Sequence, residues 1–236
     1  MISILLHQLA GRRMILASTS PRRLQILESV GFPFTVVPSK FPETLDKASF
    51  ASPAEYAIIT SKGKSFAVAE RWKLEDCEDW VVITGADTVV EIDGVILEKP
   101  KNNYEAHNML QNWSGLSGRT HLVHTGVSLV KKSVDETKLH CFHEQSEVTF
   151  SELTFSELND DMITAYVESG EPLDKAGAYG IQGLGGTLVK RINGDYYNVE
   201  GLPLYQLCKE LNSQLKIWTI VRPDHLWWCL ILKKNY

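Results

Sequence analysis

The residues that could do chemistry fall into a few short blocks. Asp87 stands between two apolar runs, Val81-Val82-Ile83 before it and Val89-Val90 after it. A carboxylate so placed must be paired, metal-bound or turned into a cleft. Gly85 lets another group approach the backbone closely, and Thr88 adds a hydroxyl beside the acid. In Leu16-Ala17-Ser18-Thr19-Ser20-Pro21-Arg22-Arg23-Leu24 an apolar run ends in three hydroxyl residues, a proline and two arginines. Ser20 reads as an N-cap and Pro21 as a first-turn residue. The helix-start N–H groups, the hydroxyls of Ser18 and Ser20, and Arg22 and Arg23 then suit a phosphate. An ordinary capped helix with two surface arginines fits this segment equally well.

Leu97-Glu98-Lys99-Pro100 follows Asp87 closely, and a hairpin would fold Lys99 back toward it. A lysine beside phosphates supplies a point charge, although a lysine at a strand end is most often a surface residue. Glu98 and Glu43 are further acids that could serve Mg²⁺, which takes one or two carboxylates plus substrate phosphates. Taken alone, Glu43 fits a solvated loop charge. The stretch from Glu171 to Gly186 carries Gly177, Gly180, Gly183, Gly185 and Gly186. Such a loop can press backbone against a ligand, or simply turn. Its Gln182 amide could read a base edge. The loop lacks the spacing of a P-loop, no G-x-S-x-G is present, and the seven histidines form no H-E-x-x-H. A covalent mechanism is not favoured.

The elements that must position these groups read as one α/β unit. At 236 residues, 44% hydrophobic and 22% charged, the chain has ordinary globular composition. A net charge of −5 argues against a nucleic-acid surface as the main business. The four cysteines, Cys77, Cys141, Cys208 and Cys229, show no C-x-x-C spacing, so reduced thiols in a cytoplasmic protein are expected. No apolar run reaches membrane-spanning length. Ile2-Ser3-Ile4-Leu5-Leu6 lacks the charged segment that would precede it in a signal peptide, which stays a weak alternative.

Strands are expected at 14–17, 34–38, 80–84, 89–92, 95–97, 123–130 and 140–150, with Gly85-Ala86-Asp87-Thr88 interrupting an apolar run. Asp93-Gly94 and Asn193-Gly194 are hairpin signals, the second between strands 188–192 and 196–199. Helices are expected at 22–30, closed by Gly31, and from the Ser52-Pro53-Ala54-Glu55 capping box to about Trp72. Others are expected at 104–113, at 158–169 capped by Ser156, and at 202–211. The sheet is mixed.

Taken together, these blocks resemble the Maf-like nucleoside triphosphate pyrophosphatases. The resemblance rests on Ala17 to Arg23, on Gly85-Ala86-Asp87-Thr88-Val89-Val90, on Leu97-Glu98-Lys99-Pro100 and on Asp174 to Gly183, with Ser114-Gly115 through Val127 also fitting. Segments 38–41 and 45–50 also resemble the Maf half of the animal acetylserotonin O-methyltransferase-like proteins, without their methyltransferase half.

The resemblance implies an elongated α/β fold shared with inosine triphosphate pyrophosphatases, with two lobes around a cleft. It implies a Maf-like domain over residues 14–211, an N-terminal extension over 1–13 and a divergent tail over 212–236. It implies hydrolysis of dTTP, UTP and modified pyrimidine triphosphates to the monophosphate and pyrophosphate, with Mg²⁺ or Mn²⁺ as cofactor. Asp87 would be the general base. Arg22, Thr88 and Gln182 would match specificity positions, and Glu43, Lys64 and Lys99 other active-site positions. Ser18, Ser20, Arg23 and Lys175 would join in binding substrate, and Glu43 and Asp87 in binding metal. A nucleotide-binding regulatory module without turnover is the alternative, and a metal-dependent phosphomonoesterase a second rival. The tail, with Trp218, Trp227 and Trp228, departs from the family pattern. A packed extra element, a homodimer contact or an ill-ordered end would each fit it.

Overall fold

The computed structural model describes residues 2–10, 12–74, 80–111, 116, 118–150 and 160–219. Three long antiparallel strands carry the molecule: β3 (Trp80–Ile92), β5 (Thr120–Ser133) and β6 (Thr137–Phe150). β5 lies between the other two, with Asp87 opposite Gly126 and Gly126 opposite His143. Parallel to β3 runs the short β1 (Arg13–Leu16), followed by β2 (Thr35–Val36). β4 (Val95–Leu97) folds back on β3 from Val90 onward, and β7 (Val189–Asn193) closes the far edge against β6. The result is a mixed seven-stranded sheet, as expected for the class.

Side chains on a strand alternate between faces. On one face, Val81, Ile83 and Val130 pack with Val68 and Ala69 of α3 (Pro53–Ala69). The Ser52 hydroxyl caps this helix by accepting from the Glu55 N–H at 3.2 Å. Helix and sheet approach so closely that two strand positions have no room for a Cβ. One added to Gly85 would lie 2.3 Å from the Ser61 carbonyl oxygen, and one on Gly126 2.4 Å from the Ala57 and Ile58 backbone. Gly126→Ala is therefore expected to cost about 3 kcal/mol, roughly 6–12 °C of Tm for a domain of this size. A thermal melt within 2 °C of the parent would show that α3 can shift away freely.

The other face holds two separate cores. At one end Val82, Ala86, Val127 and Leu129 pack with α1 (Ile2–Gln8), α2 (Pro21–Ser29) and α7 (Leu204–Thr219). At the other end Val90, Ile92, Val123 and Val148 pack with α4 (Asn103–Leu110) and α5 (Asp160–Glu168). Thr88 and Thr125 sit between the two cores, their hydroxyls 3.0 Å apart. The expected two lobes thus share one set of strands, and a polar waist divides them.

Several expectations need correction. Gly85-Ala86-Asp87-Thr88 does not interrupt the strand, because β3 runs through it unbroken. Asn193-Gly194 is not a hairpin turn. The Asp195 carboxylate accepts from the Tyr197 N–H at 2.8 Å and caps a short helix, α6 (Tyr196–Glu200). The last helix does not stop at Leu211 but continues to Thr219, with Leu211, Leu215 and Trp218 on its buried side. Trp218 packs edge-on against Trp80. The N-terminal apolar patch is helical and buries Leu5, with Leu9 buried just after the helix. α3 ends at Ala69 rather than Trp72, and α4 at Leu110 rather than 113. Asp93-Gly94 does turn as expected, with both residues at positive φ (51° and 78°). Ser156, Ser114-Gly115, Cys77, Cys229, Trp227 and Trp228 lie outside the described residues.

Candidate active site

The site begins at a gap in the sheet. β1 leaves β3 where the Ala17 N–H donates to the Thr84 carbonyl (2.8 Å), and β4 joins only at Val90. From Gly85 to Val89 that edge of β3 has no strand neighbour among the described residues. Asp87 and Thr88, on opposite faces of the strand, flank this gap, and both line a cleft open to solvent.

On the α3 side, the Lys64 ammonium donates to the Asp87 carboxylate at 2.7 Å and lies 2.9 Å from that of Glu43. Lys64 and Asp87 are nearly buried, whereas the Glu43 side chain is 54% exposed. Burial pushes the Asp87 carboxyl above its usual pKa, and Glu43 adds to this. The opposing pull of Lys64 and Arg23 does not cancel it. Asp87 therefore binds a proton more tightly than an exposed aspartate.

On the other side, the Thr88 hydroxyl accepts from the Arg23 guanidinium at 2.9 Å. That guanidinium is buried and also donates to the Gly201 carbonyl (2.8 Å) and the Ser18 hydroxyl (3.3 Å). Burial lowers the Arg23 pKa against the opposing influence of Asp87. Arg23 thus braces three chain segments while one edge lines the cleft. Ser18 supports it from below, accepting also from the Ser20 N–H at 3.2 Å. Ser20 occupies the N-cap position of α2, but its hydroxyl makes no capping bond, and it lines the cleft.

Arg22 and Lys175 reach the cleft together because one acid gathers them. Asp174 accepts from Arg22 at 3.3 Å and from Lys175 at 2.6 Å. Burial raises the Asp174 pKa, but Lys175 and Arg22 outweigh it and hold the carboxyl below its usual value. With Lys99, the cleft carries Arg22, Arg23, Lys64, Lys99 and Lys175 against the acids Glu43, Asp87 and Glu200. In a chain of net charge −5 such a local cationic excess suits an anion.

The glycine-rich loop is built differently from the expectation. Its amides turn mostly inward: the Glu171 carboxylate accepts from Leu184 N–H (2.9 Å) and Gly185 N–H (3.1 Å), and Gly180 N–H donates to the Tyr166 hydroxyl (3.2 Å). The glycines are needed for this wrapping, since a Cβ on Gly183 would meet the Glu171 carboxylate at 2.4 Å. Gly180 and Ile181 still reach the cleft wall. Gln182, expected at a specificity position, does not line the cleft: it sits exposed beside them, its amide nitrogen donating to the Glu200 carboxylate. Glu98 does not join the cleft acids, being held by the Tyr56 hydroxyl (2.6 Å) and Lys47 (2.5 Å).

Sequence reasoning missed Glu171, which organises the loop, and Glu200, which lines the cleft. Asp195, a helix cap five residues before Glu200, was the signal that could have placed it. Among the described residues, no group of three or more histidine, cysteine, aspartate or glutamate side chains could hold a metal, and no helix is long and apolar enough to cross a membrane. Cys141 and Cys208 are free thiols.

An acid–lysine–acid cluster on an open strand edge, in a cationic cleft between two lobes, is a site whose charge suits a small polyanion. A family model described as "Maf-like protein" matches residues 13–214, and the chain belongs to that family. It is 47% identical over 223 residues to a human protein named "probable bifunctional dTTP/UTP pyrophosphatase/methyltransferase protein", covering 93% of this chain and 34% of that one. The chain thus spans about a third of the human relative. It is 46% identical over 202 residues to the "dTTP/UTP pyrophosphatase" of Bacillus thuringiensis subsp. konkukian, covering 86% of this chain and 95% of the relative. A solved structure, the Ham1 protein of Staphylococcus aureus, overlays with a TM-score of 0.39 at 13% identity, covering 86% of this chain and all of that one.

Proposed function

We propose that this chain hydrolyses dTTP, UTP and modified pyrimidine triphosphates to the nucleoside monophosphate and pyrophosphate, working on the free nucleotide pool of the cytoplasm. The observation that carries the reading is the Lys64 ammonium held between Asp87 and Glu43 inside the cationic cleft. The near-complete overlap with a bacterial relative named for this activity supports it.

Cleavage between the α and β phosphates needs charge neutralisation, an aimed water and an acceptor for its proton. Arg22, Lys99 and Lys175 line the cleft where they can meet phosphate oxygens. Asp87, with its raised proton affinity, takes the water's proton. Lys64 keeps that carboxylate oriented and returns positive charge to the reacting end. Thr88, fixed by Arg23, shapes the opposite wall.

The donor set fits a hard divalent cation beside Lys64: that ammonium holds the Glu43 and Asp87 carboxylates near each other, and two carboxylates completed by substrate phosphates are what Mg²⁺ accepts. Bound there, Mg²⁺ or Mn²⁺ would withdraw charge from the phosphate oxygens. A module that only binds nucleotides has no use for a buried acid with raised proton affinity among its cations.

The test is product analysis. With Mg²⁺ or Mn²⁺ present, the protein is expected to release pyrophosphate from dTTP and UTP, and much less from ATP and GTP. Intact nucleotides with either metal would reject turnover, orthophosphate release would mean a phosphomonoesterase, and equal cleavage of purines would reject the pyrimidine assignment.

A further inference from the structure

Gln182 alone cannot choose between uracil and cytosine. Its amide carries a donor and an acceptor that exchange places when the group flips. Uracil and thymine offer an N3–H donor beside the O4 acceptor, whereas cytosine offers an N3 acceptor beside an N4 donor. An amide free to flip satisfies either base. Discrimination needs something that forbids one of the two orientations.

Glu200 has the chemistry to do so. It ends α6 at the cleft wall, shielded from solvent, and the Gln182 amide nitrogen donates to its carboxylate. An ionised carboxylate only accepts hydrogen bonds. The amide must therefore turn its nitrogen toward Glu200, leaving the oxygen to accept from other groups next to Ile181, which lines the cleft. Val123, Val199 and Ile181 bring apolar surface to the same cleft, a setting in which an unpaired polar contact costs most.

We infer that Glu200 is a specificity-positioning residue: it locks the Gln182 amide with its oxygen toward the ligand, so that the site accepts the N3–H of uracil or thymine and rejects the N3 lone pair of cytosine. The inference rests on the pyrimidine triphosphate reading and adds to it the residue that sets the sense of base choice. Burial raises the Glu200 carboxyl to about 7, against the opposing charge of Arg22. The lock is therefore best examined at about pH 8.5, where the carboxylate is ionised.

The experiment measures equilibrium affinity for the non-hydrolysable α,β-methylene analogues of UTP and CTP, with Mg²⁺, at that pH. The parent protein is expected to prefer the UTP analogue by roughly tenfold or more, the value of one mismatched hydrogen bond in a built site. Glu200→Gln can donate as well as accept, so it releases the flip. The preference should fall at least fivefold, with the CTP analogue gaining relative to the UTP analogue. Glu200→Asp, which still only accepts, should retain a preference for uracil. If Glu200 merely braces the fold, both analogues weaken together and the ratio stays within twofold of the parent, which overturns the inference. A parent protein with no preference for the UTP analogue overturns it as well. Pyrophosphate release from UTP is assayed in parallel. Its absence with the binding ratios as expected would reject the catalytic reading and leave the Glu200 lock standing.

Discussion

Asp87→Asn is expected to lower kcat for UTP by about 100- to 10,000-fold, the usual contribution of a general base, without lowering the melting temperature. The two outcomes have one origin. Burial disfavours the charged form of Asp87 more than Lys64 and Arg23 favour it, so its pKa in the folded protein lies above that of the unfolded chain. The folded state then holds the proton more tightly. The stability this confers is full below the unfolded-state pKa and is lost as pH rises through the folded-state value.

At neutral pH the ionised carboxylate is thus a cost that the fold bears for reactivity. Asparagine keeps the shape and never ionises. Lys64 retains Glu43 as a partner, 2.9 Å away. The Asp87→Asn melting temperature should match or exceed that of the parent at pH 7.5, with the advantage shrinking at acid pH. Pyrophosphate release and thermal melts across pH check both halves. Retention of most of kcat would remove Asp87 from the mechanism, and a marked loss of stability at neutral pH would mean that the charge serves the fold.

The sequence carried the local chemistry of this site well and its spatial logic poorly. Asp87 stood out because a carboxylate in an apolar setting is costly, and the Ser52-Pro53 cap and the Asp93-Gly94 turn were legible because each depends on neighbouring residues alone. Gly85 to Thr88 looked like a break because glycine and aspartate, and to a lesser degree alanine, are poor strand formers. What fixes them in β3 is long-range: α3 needs Gly85 and Gly126 for its approach, and β5 pairs with the segment along its length.

Asn193-Gly194 failed for the complementary reason. The dipeptide is a turn signal, but Asp195 next to it is also a helix cap, and tertiary contacts chose the cap. The Asp195 N–H donates to the Ser146 hydroxyl at 3.0 Å, and the buried Asn198 donates to the Val123 carbonyl at 3.0 Å. That choice places Glu200 at the cleft. The family resemblance gave Lys64 as an active-site position, but its pairing with Asp87, 23 positions away, appears only in the structure, because no local pattern links a helix lysine to a strand aspartate.

That pairing gives the second large effect. Lys64→Met is expected to lower kcat/KM at neutral pH by about 100- to 1,000-fold, in the range of losing one preorganised electrostatic contact. It should also move the acidic limb of the pH profile to higher pH. Lys64 exerts the largest of the influences that hold the Asp87 pKa down, so its removal lets burial and Glu43 raise that pKa further. At a given pH, less of the carboxylate is ionised and ready to take a proton.

Stability should respond in the same sense. With the folded-state pKa raised further, stability is fullest below the unfolded-state pKa and is lost as pH rises through the folded value. Breaking a buried pair and leaving a bare charge costs about 3–5 kcal/mol. The loss here should be smaller, because Glu43 is half exposed and Asp87 can take up a proton. The deciding measurement is the double variant. In Lys64→Met with Asp87→Asn no buried charge remains at the pair, so the melting temperature should recover toward the parent while turnover stays low. The two substitutions would then be non-additive in stability by about 0.5–3 kcal/mol, as for groups in direct contact. Strict additivity, with an acidic limb unmoved in the single lysine variant, would show that Lys64 does not act through Asp87 and that the acid–lysine–acid cluster is three independent charges rather than one device.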